Sequence, residues 1–155
     1  ADKNPNTAGV TALCTSSPPK SFAEMAKDIV DGRITHVVAL GSYSSDATRT
    51  DALSKLQGLV TFATREGPMA KHATVVLPVS SWAECDGTFV NAKGMAQESE
   101  KAIAPRGDSL PAWRLVAVLA KELGLPMAWT KLAQVRKAMA PEAGATVAQS
   151  TGAEA

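Results

Sequence analysis

Only two of the 155 residues are cysteine, Cys14 and Cys85, which stand 71 positions apart and outside any CxxC spacing. Neither an iron–sulfur cluster nor a four-ligand zinc site can be built from this chain's own thiols, so any redox metal is expected to belong to a partner. Charge of one sign is equally scarce. Sixteen Lys and Arg against fifteen Asp and Glu leave +1, with no basic stripe, which removes the electrostatic footing for nucleic acid or anionic lipid. Apolar runs are short: Val75 to Val79 falls far below the roughly 20 residues that cross a bilayer. No charged-then-apolar leader opens the sequence, so a soluble chain without direct membrane insertion is expected. What is present is 45% hydrophobic and 20% charged, the composition of one ordinary globular domain with a core.

Residues 1–20 mix Asn, Gly, Ser, Thr and Pro without period and read as an extended arm. Ser21 with Glu24 forms a capping box, and Phe22, Met25, Ala26, Ile29 and Val30 repeat at helical spacing. Gly32 can close that helix in the left-handed conformation, and His36 to Leu40 follows as a short buried strand. Asp46 is placed to cap a second helix bearing Ala52, Leu53 and Leu56; Gly58 stops it before a strand at Leu59 to Phe62. A short segment at Met69 to His72 leads to a third strand, Thr74 to Leu77, closed by Pro78. This order predicts right-handed βαβ crossovers and a partial Rossmann-like parallel sheet with flanking helices, an α/β fold. Three strands are few for an independent doubly wound domain, so strands from elsewhere are expected to complete it.

Beyond Pro78, Thr88 to Val90 and Met95 to Gln97 flank Asn91-Ala92-Lys93-Gly94 and predict a small hairpin. Pro111 opens a helix that runs to about Leu123 and ends at Gly124. Its few strongly polar residues predict burial around most of its circumference. Thr130 is placed to cap a last helix carrying Leu132, Val135 and Met139. The expected division is an arm at 1–20, an α/β domain at 21–124, a C-terminal helix at 125–140 and a disordered tail at 141–155.

No catalytic constellation emerges, and no catalytic, cofactor-binding or metal residue is assigned. The Gly41 to Asp46 loop sits between strand and helix, where backbone N–H groups can hold a phosphate, but it lacks GxGxxG and GK[ST] and reads first as a helix cap. His36 and His72 lie beside apolar residues without a carboxylate or cysteine at ligand spacing, and read as structural. Glu84 and Asp86 straddle Cys85, so like charge should raise its pKa, the opposite of an activated nucleophile. Ser80 and Ser81 lack the Gly-x-Ser-x-Gly elbow. Trp82, Trp113 and Trp129 read as core or interface anchors.

The stretch TVVLPVSSWAECDGTFVNAKGMAQ, Thr74 to Gln97, resembles a block of the molybdopterin oxidoreductase superfamily: a V-V-L-P strand followed by W/F/Y-x-E-x-x-G-T-F/Y-x-N-x-x-G-x-x-Q. The Pro105-Arg106-Gly107 turn, Ala112-Trp113, Leu123-Gly124, Asn6 to Gly9 and Gly32 to Gly41 match further landmarks of that superfamily, so the likeness spans about residues 5 to 125. Thr130 to Met139, TKLAQVRKAM, is similar to the end of the large iron–sulfur subunit of respiratory complex I. That resemblance implies a non-catalytic structural portion of an NADH:quinone oxidoreductase, with no redox centre in this chain. It also implies iron–sulfur clusters and FMN in partner chains, iron–sulfur protein subunits as partners, and a place in the peripheral arm on the cytoplasmic side of the inner membrane or in the mitochondrial matrix.

Two departures from the superfamily pattern, Ser42-Tyr43-Ser44 and Phe62-Ala63-Thr64-Arg65, deplete the polar contacts expected for a pterin nucleotide, so no tightly bound pterin is expected. Gly87-Thr88-Phe89 reads as part of a hairpin buried against the sheet. Two other functions stand beside the first. One is the carboxy-terminal portion of a split molybdenum oxidoreductase such as formate dehydrogenase, binding part of a guanine-dinucleotide cofactor. The other is a small-molecule-binding module that uses the Gly41 loop.

Overall fold

A computed structural model describes residues 6–14, 19–41, 47–126 and 129–139. The remainder of the arm, the 42–46 segment with its expected cap Asp46, and the 141–155 tail lie outside the described residues.

The first element departs from expectation. Thr7–Leu13 is a helix, α1, rather than extended arm. The Asn6 side chain holds it in place: Asn6 Oδ1 accepts from the Val90 amide at 2.8 Å. Gly9 is needed there, since a Cβ would stand 2.5 Å from Asn6 Oδ1 and 3.0 Å from Val90 Cγ2. A tertiary contact 84 residues away thus overrides weak local propensity.

Helix α2, Phe22–Val30, forms where the capping box places it. Ser21 N donates to Glu24 Oε2 at 2.8 Å and Glu24 N donates to Ser21 Oγ at 3.3 Å. Gly32 closes the turn at φ 72°. Asp28 on the same helix is buried, yet it accepts from Lys20 Nζ at 2.7 Å and from Arg33 Nε at 2.9 Å. Those two cations hold its carboxyl below the usual range.

Strands β1 (His36–Leu40), β2 (Gly58–Ala63) and β3 (Val75–Pro78) form a parallel sheet in the order β1-β2-β3. Val37 pairs with Leu59, Val38 with Val60, and Val60 with Val75. Both crossovers are 3-10 helices, Ala47–Lys55 and Pro68–His72, so the helix expected after Asp46 is not an α-helix. Thr50, Asp51 and Ser54 are poor α-formers, and the Ser54 hydroxyl donates to the Asp51 carbonyl at 2.6 Å.

Strand alternation and pairing put Val37, Ala39, Leu59 and Thr61 on one face. There Leu59 joins Ile29, Leu53 and Met69 in a core, with Phe22, Met25 and Leu56 packed around it. Thr61 is fully buried and satisfied, its hydroxyl donating to the Gly41 carbonyl at 2.7 Å. The opposite face carries Val38, Leu40 and Val75 at 58%, 73% and 44% exposure.

Strands β4 (Gly87–Val90) and β5 (Ala96–Ser99) make the expected antiparallel hairpin. Asn91 Oδ1 shapes its turn by accepting from the Lys93 and Met95 amides at 2.9 and 3.0 Å. The expected burial of this hairpin against the parallel sheet is not found. It forms a separate sheet and packs with α1, and Phe89 remains 39% exposed. The cause is composition: Ala96, Gln97 and Glu98 are exposed and offer no apolar face to dock.

Helix α3, Ala112–Glu122, lies where Pro111 predicts it, but its circumference is not mostly buried. Only Ala120 is enclosed, while Val118 is 53% exposed and the following Leu123 64%. Three strands and two short crossovers supply too little apolar surface to surround it. Helix α4, Leu132–Met139, is capped differently from expectation. Gln134 Oε1 reaches back to accept from Thr130 N at 2.8 Å, Lys131 N at 3.0 Å and Thr130 Oγ1 at 3.2 Å.

Candidate functional site

In an open parallel sheet, ligands gather outside the carboxyl ends of the strands. Here those ends are Leu40-Gly41, Ala63 and Pro78, held level by Gly41 N donating to the Phe62 carbonyl at 2.7 Å and Val79 N donating to Ala63 O at 3.1 Å. The strand order runs in one direction, so no topological switch point lies among the described strands. The sheet's third strand is extended by a parallel bridge from Val79 to Leu110, with Ser80 N donating to Leu110 O at 2.9 Å.

Just past β3 stands the acidic residue of the family-like block. Glu84 is buried at 8% exposure, and its carboxylate accepts from Ser81 N at 2.8 Å and Arg106 N at 3.2 Å. These bonds, Ser81's first and Arg106's next, hold its pKa below 4.5 against the opposing effect of burial. Glu84 therefore ties two loops together as a charged acceptor. Asp86 does the same across 15 residues, accepting from Lys101 N at 2.8 Å. The Ser80 and Ser109 hydroxyls lie 3.5 Å apart. Much of the polar chemistry above β3 is thus engaged within the chain.

Among the described residues, a crevice of about 590 Å³ beside β3 is lined by Glu66, Gly67, Pro68, Ala70, Lys71 and Val76. An acid and an amine on an apolar floor fit the edge of a nucleotide-sized group, within the usual volume range of small-molecule sites. They do not enclose one. Sequence reasoning did not single out Glu66 or Lys71; the only available signal was their position after the second strand.

The residues weighed in the sequence are scattered. His36 is exposed at the start of β1, its Nδ1 3.0 Å from Thr35 Oγ1 and its ring packed over Gly58. His72 ends the second 3-10 helix. Cys85 Sγ donates to the Ser81 carbonyl at 3.2 Å, and its pKa is raised by burial first, with Asp86 and Glu84 adding to it. The direction agrees with the sequence reading, but the leading cause is desolvation rather than like charge. Trp82 is 77% exposed, which leaves a surface role and rules out core packing. No group of three or more His, Cys, Asp or Glu placed to hold a metal occurs among the described residues.

Arg136 was also missed as an organising residue. Its guanidinium donates to Gly87 O at 3.0 Å and Thr88 Oγ1 at 3.2 Å and pairs with Glu98 at 2.8 Å, pinning α4 to the hairpin.

A parallel three-stranded sheet, a hairpin carrying the Glu-x-x-Gly-Thr-Phe-x-Asn block and an N-terminal Asn-x-x-Gly helix docked on it define a mixed α/β scaffold. The molybdopterin oxidoreductase family description matches residues 6–122, and the chain belongs to that family. Among its relatives is the F420-dependent formate dehydrogenase 2 subunit alpha of Methanococcus maripaludis, 36% identical over 95 residues, which are 59% of this chain and 14% of the relative. The F420-dependent formate dehydrogenase subunit alpha of Methanocaldococcus jannaschii is 47% identical over 55 residues, 36% of this chain and 8% of that protein. A putative formate dehydrogenase of Staphylococcus aureus is 34% identical over 113 residues, covering 68% of this chain and 11% of the relative. The chain thus matches about a seventh or less of the length of these relatives.

These relatives overturn the complex I reading and, with it, the NADH dehydrogenase and respiratory-chain assignment. They are formate dehydrogenases. The Thr130-to-Arg136 pattern that suggested complex I has a local explanation: Gln134 caps α4, Val135 is buried and Arg136 pins the hairpin. Two relatives are named as alpha subunits, which agrees with a chain that works among redox partners.

Proposed function

We propose that this chain is the carboxy-terminal cofactor-domain portion of a molybdenum-dependent oxidoreductase of the formate dehydrogenase kind. It forms one wall of a pterin-nucleotide cleft and carries no redox centre of its own. The formate dehydrogenase names of relatives matching as much as 68% of the chain carry this reading. When bound, a molybdenum–pterin group would supply the two-electron chemistry. The chain's own share is positional. Glu66 and Lys71 would hold the nucleotide edge: Lys71 offers an ammonium to phosphate oxygens, and Glu66 accepts from an amine or hydroxyl. Glu84 would keep the loop after β3 in place.

Because this wall is one-sided, the isolated chain would not retain a pterin; the metal ligand and the iron–sulfur clusters would sit on companion sequence. The test is to produce the chain in a host that makes molybdenum cofactor, alone and together with a companion that bears a cysteine, selenocysteine or serine metal ligand. Formate-dependent reduction of an artificial dye is expected only from the pair. Activity from the chain alone, or none from a pair that holds molybdenum, would refute the proposal.

A further inference from the structure

The first crossover is an unusual element. Ala47–Lys55 keeps the 3-10 conformation for nine residues, where such runs seldom exceed about four. Leu56 N donates to Leu53 O at 3.1 Å, an i to i−3 bond, and the Ser54 hydroxyl reaches the Asp51 carbonyl over the same spacing at 2.6 Å. Burial follows that period. Thr50 is 6% exposed, Leu53 is 1% exposed and Leu56 packs against the core, while Asp51, Ser54 and Lys55 between them are exposed. About three residues per turn bring 50, 53 and 56 into one row.

The same residues also satisfy an α-helix. In that geometry Ala52 and Leu56 are i, i+4 neighbours and Leu53 and Leu56 are i, i+3 neighbours, so the three share a face. Thr50 then falls about 120° away from the place it holds relative to Leu56 in the 3-10 row. The two registers keep both leucines and exchange buried Thr50 for half-buried Ala52. Apolar burial favours the α register. The Ser54–Asp51 bond and the low α propensity of Thr50, Asp51 and Ser54 favour the 3-10 register. Conversion from 3-10 to α would shorten the element by about 0.5 Å per residue.

The second crossover would move with the first. Pro68–His72 packs against it, and Met69 joins Leu53 in the core while Pro68, Ala70 and Lys71 line the crevice. We infer that Ala47–Lys55 is a two-register element, 3-10 or α, whose register sets the position of Pro68–His72 and so the placement of Lys71 relative to Glu66 across the crevice. A ligand that grips both side chains gains both contacts only in the 3-10 register and therefore selects it. As regulation of that site the inference rests on the function proposed above; the two registers do not.

Two variants push the register in opposite directions. Asp51→Ala with Ser54→Ala, both at exposed positions, removes the local bond and raises α propensity. Ala52→Asp places a charge on the face that the α register buries. Nuclear Overhauser contacts read the outcome: Hα to the amide two residues on marks 3-10, and to the amide four residues on marks α. The 3-10 contacts should dominate in the unaltered chain and in Ala52→Asp. In the double variant the α contacts should replace them, and the amide shifts of Gly67 to Lys71 should move. Persistence of the 3-10 pattern in the double variant, or an α pattern already in the unaltered chain, would overturn the two registers. A converted first crossover with unmoved Gly67 to Lys71 shifts would overturn the link to the crevice. Titration with inorganic pyrophosphate reports separately on the functional reading. It should bind the unaltered chain, and the double variant about tenfold more weakly or worse. Equal binding would overturn the regulation. No binding to the unaltered chain would sink the functional reading and the regulation with it, while the contacts still decide the registers. Should the double variant fail to fold, Ala52→Asp decides alone: if it binds pyrophosphate more weakly than the unaltered chain, the 3-10 register is not the binding form and the inference falls.

Discussion

The parallel-sheet region and the hairpin region of this molecule are built by different means. Around β2, stability comes from packing: Leu59 is 0% exposed, Leu53 1% and Ile29 2%. Around β4 and β5 it comes from polar pins placed far apart in sequence, Asn6 on Val90, Arg136 on Gly87 and Thr88, and Lys101 on Asp86. The Glu84-to-Asn91 part of the family-like block falls in the second region. Its residues fix loop geometry there, which is why that block can be specific in sequence while contributing little core.

Truncation should expose the contrast most strongly in the first region. Leu59→Ala removes a fully buried side chain and should cost about 2–5 kcal/mol, read as a lower midpoint in chemical denaturation. If it cost no more than a surface substitution, the sheet would not be the packed half. Arg136→Ala should cost about 1.5–3 kcal/mol through its charged hydrogen bonds. That loss should appear as faster amide exchange in β4 and α4, with β2 unaffected. Loss of protection in β2 as well would show that the two regions unfold as one. Asn6→Ala should free the Val90 amide at a cost of about 1 kcal/mol and release α1 to proteolysis without changing the sheet.

The smallest effect separates the regions by pH. Glu84 and Asp28 both have folded-state pKa values below their ordinary 4.5 and 3.8. The unfolded chain therefore takes up protons first as pH falls. Their stabilisation is complete above those ordinary values and is lost as pH drops through the lower, folded ones. Glu84→Gln should flatten the acid limb around the hairpin, and Asp28→Asn the limb around α2. Titration followed by region-specific exchange would tell them apart.

Much of the sheet region could be read from the sequence because its signals are local. Ser21 and Glu24 cap each other three residues apart, and the apolar runs at His36–Leu40 and Val75–Pro78 are bounded by Gly and Pro. The hairpin's turn was readable in Asn91 for the same reason. Its surroundings were not, because Asn6 and Arg136 act across 84 and 48 residues, where spacing carries no signal. The exposure of α3 was also hidden: an apolar helix predicts burial, but the sequence does not say whether enough partner surface exists. Of the candidate site, Glu84 was visible as a motif residue but not as a buried acceptor, and the Glu66 and Lys71 crevice was not visible at all.

The central claim is that this chain shapes a molybdenum site completed by other sequence. Elemental analysis of molybdenum per chain tests it most directly, on the chain purified alone and on its complex with a metal-ligand-bearing companion. The account predicts essentially no metal on the chain alone and near-stoichiometric metal in the complex. Stoichiometric molybdenum on the isolated chain would contradict it, and so would a stable complex without any.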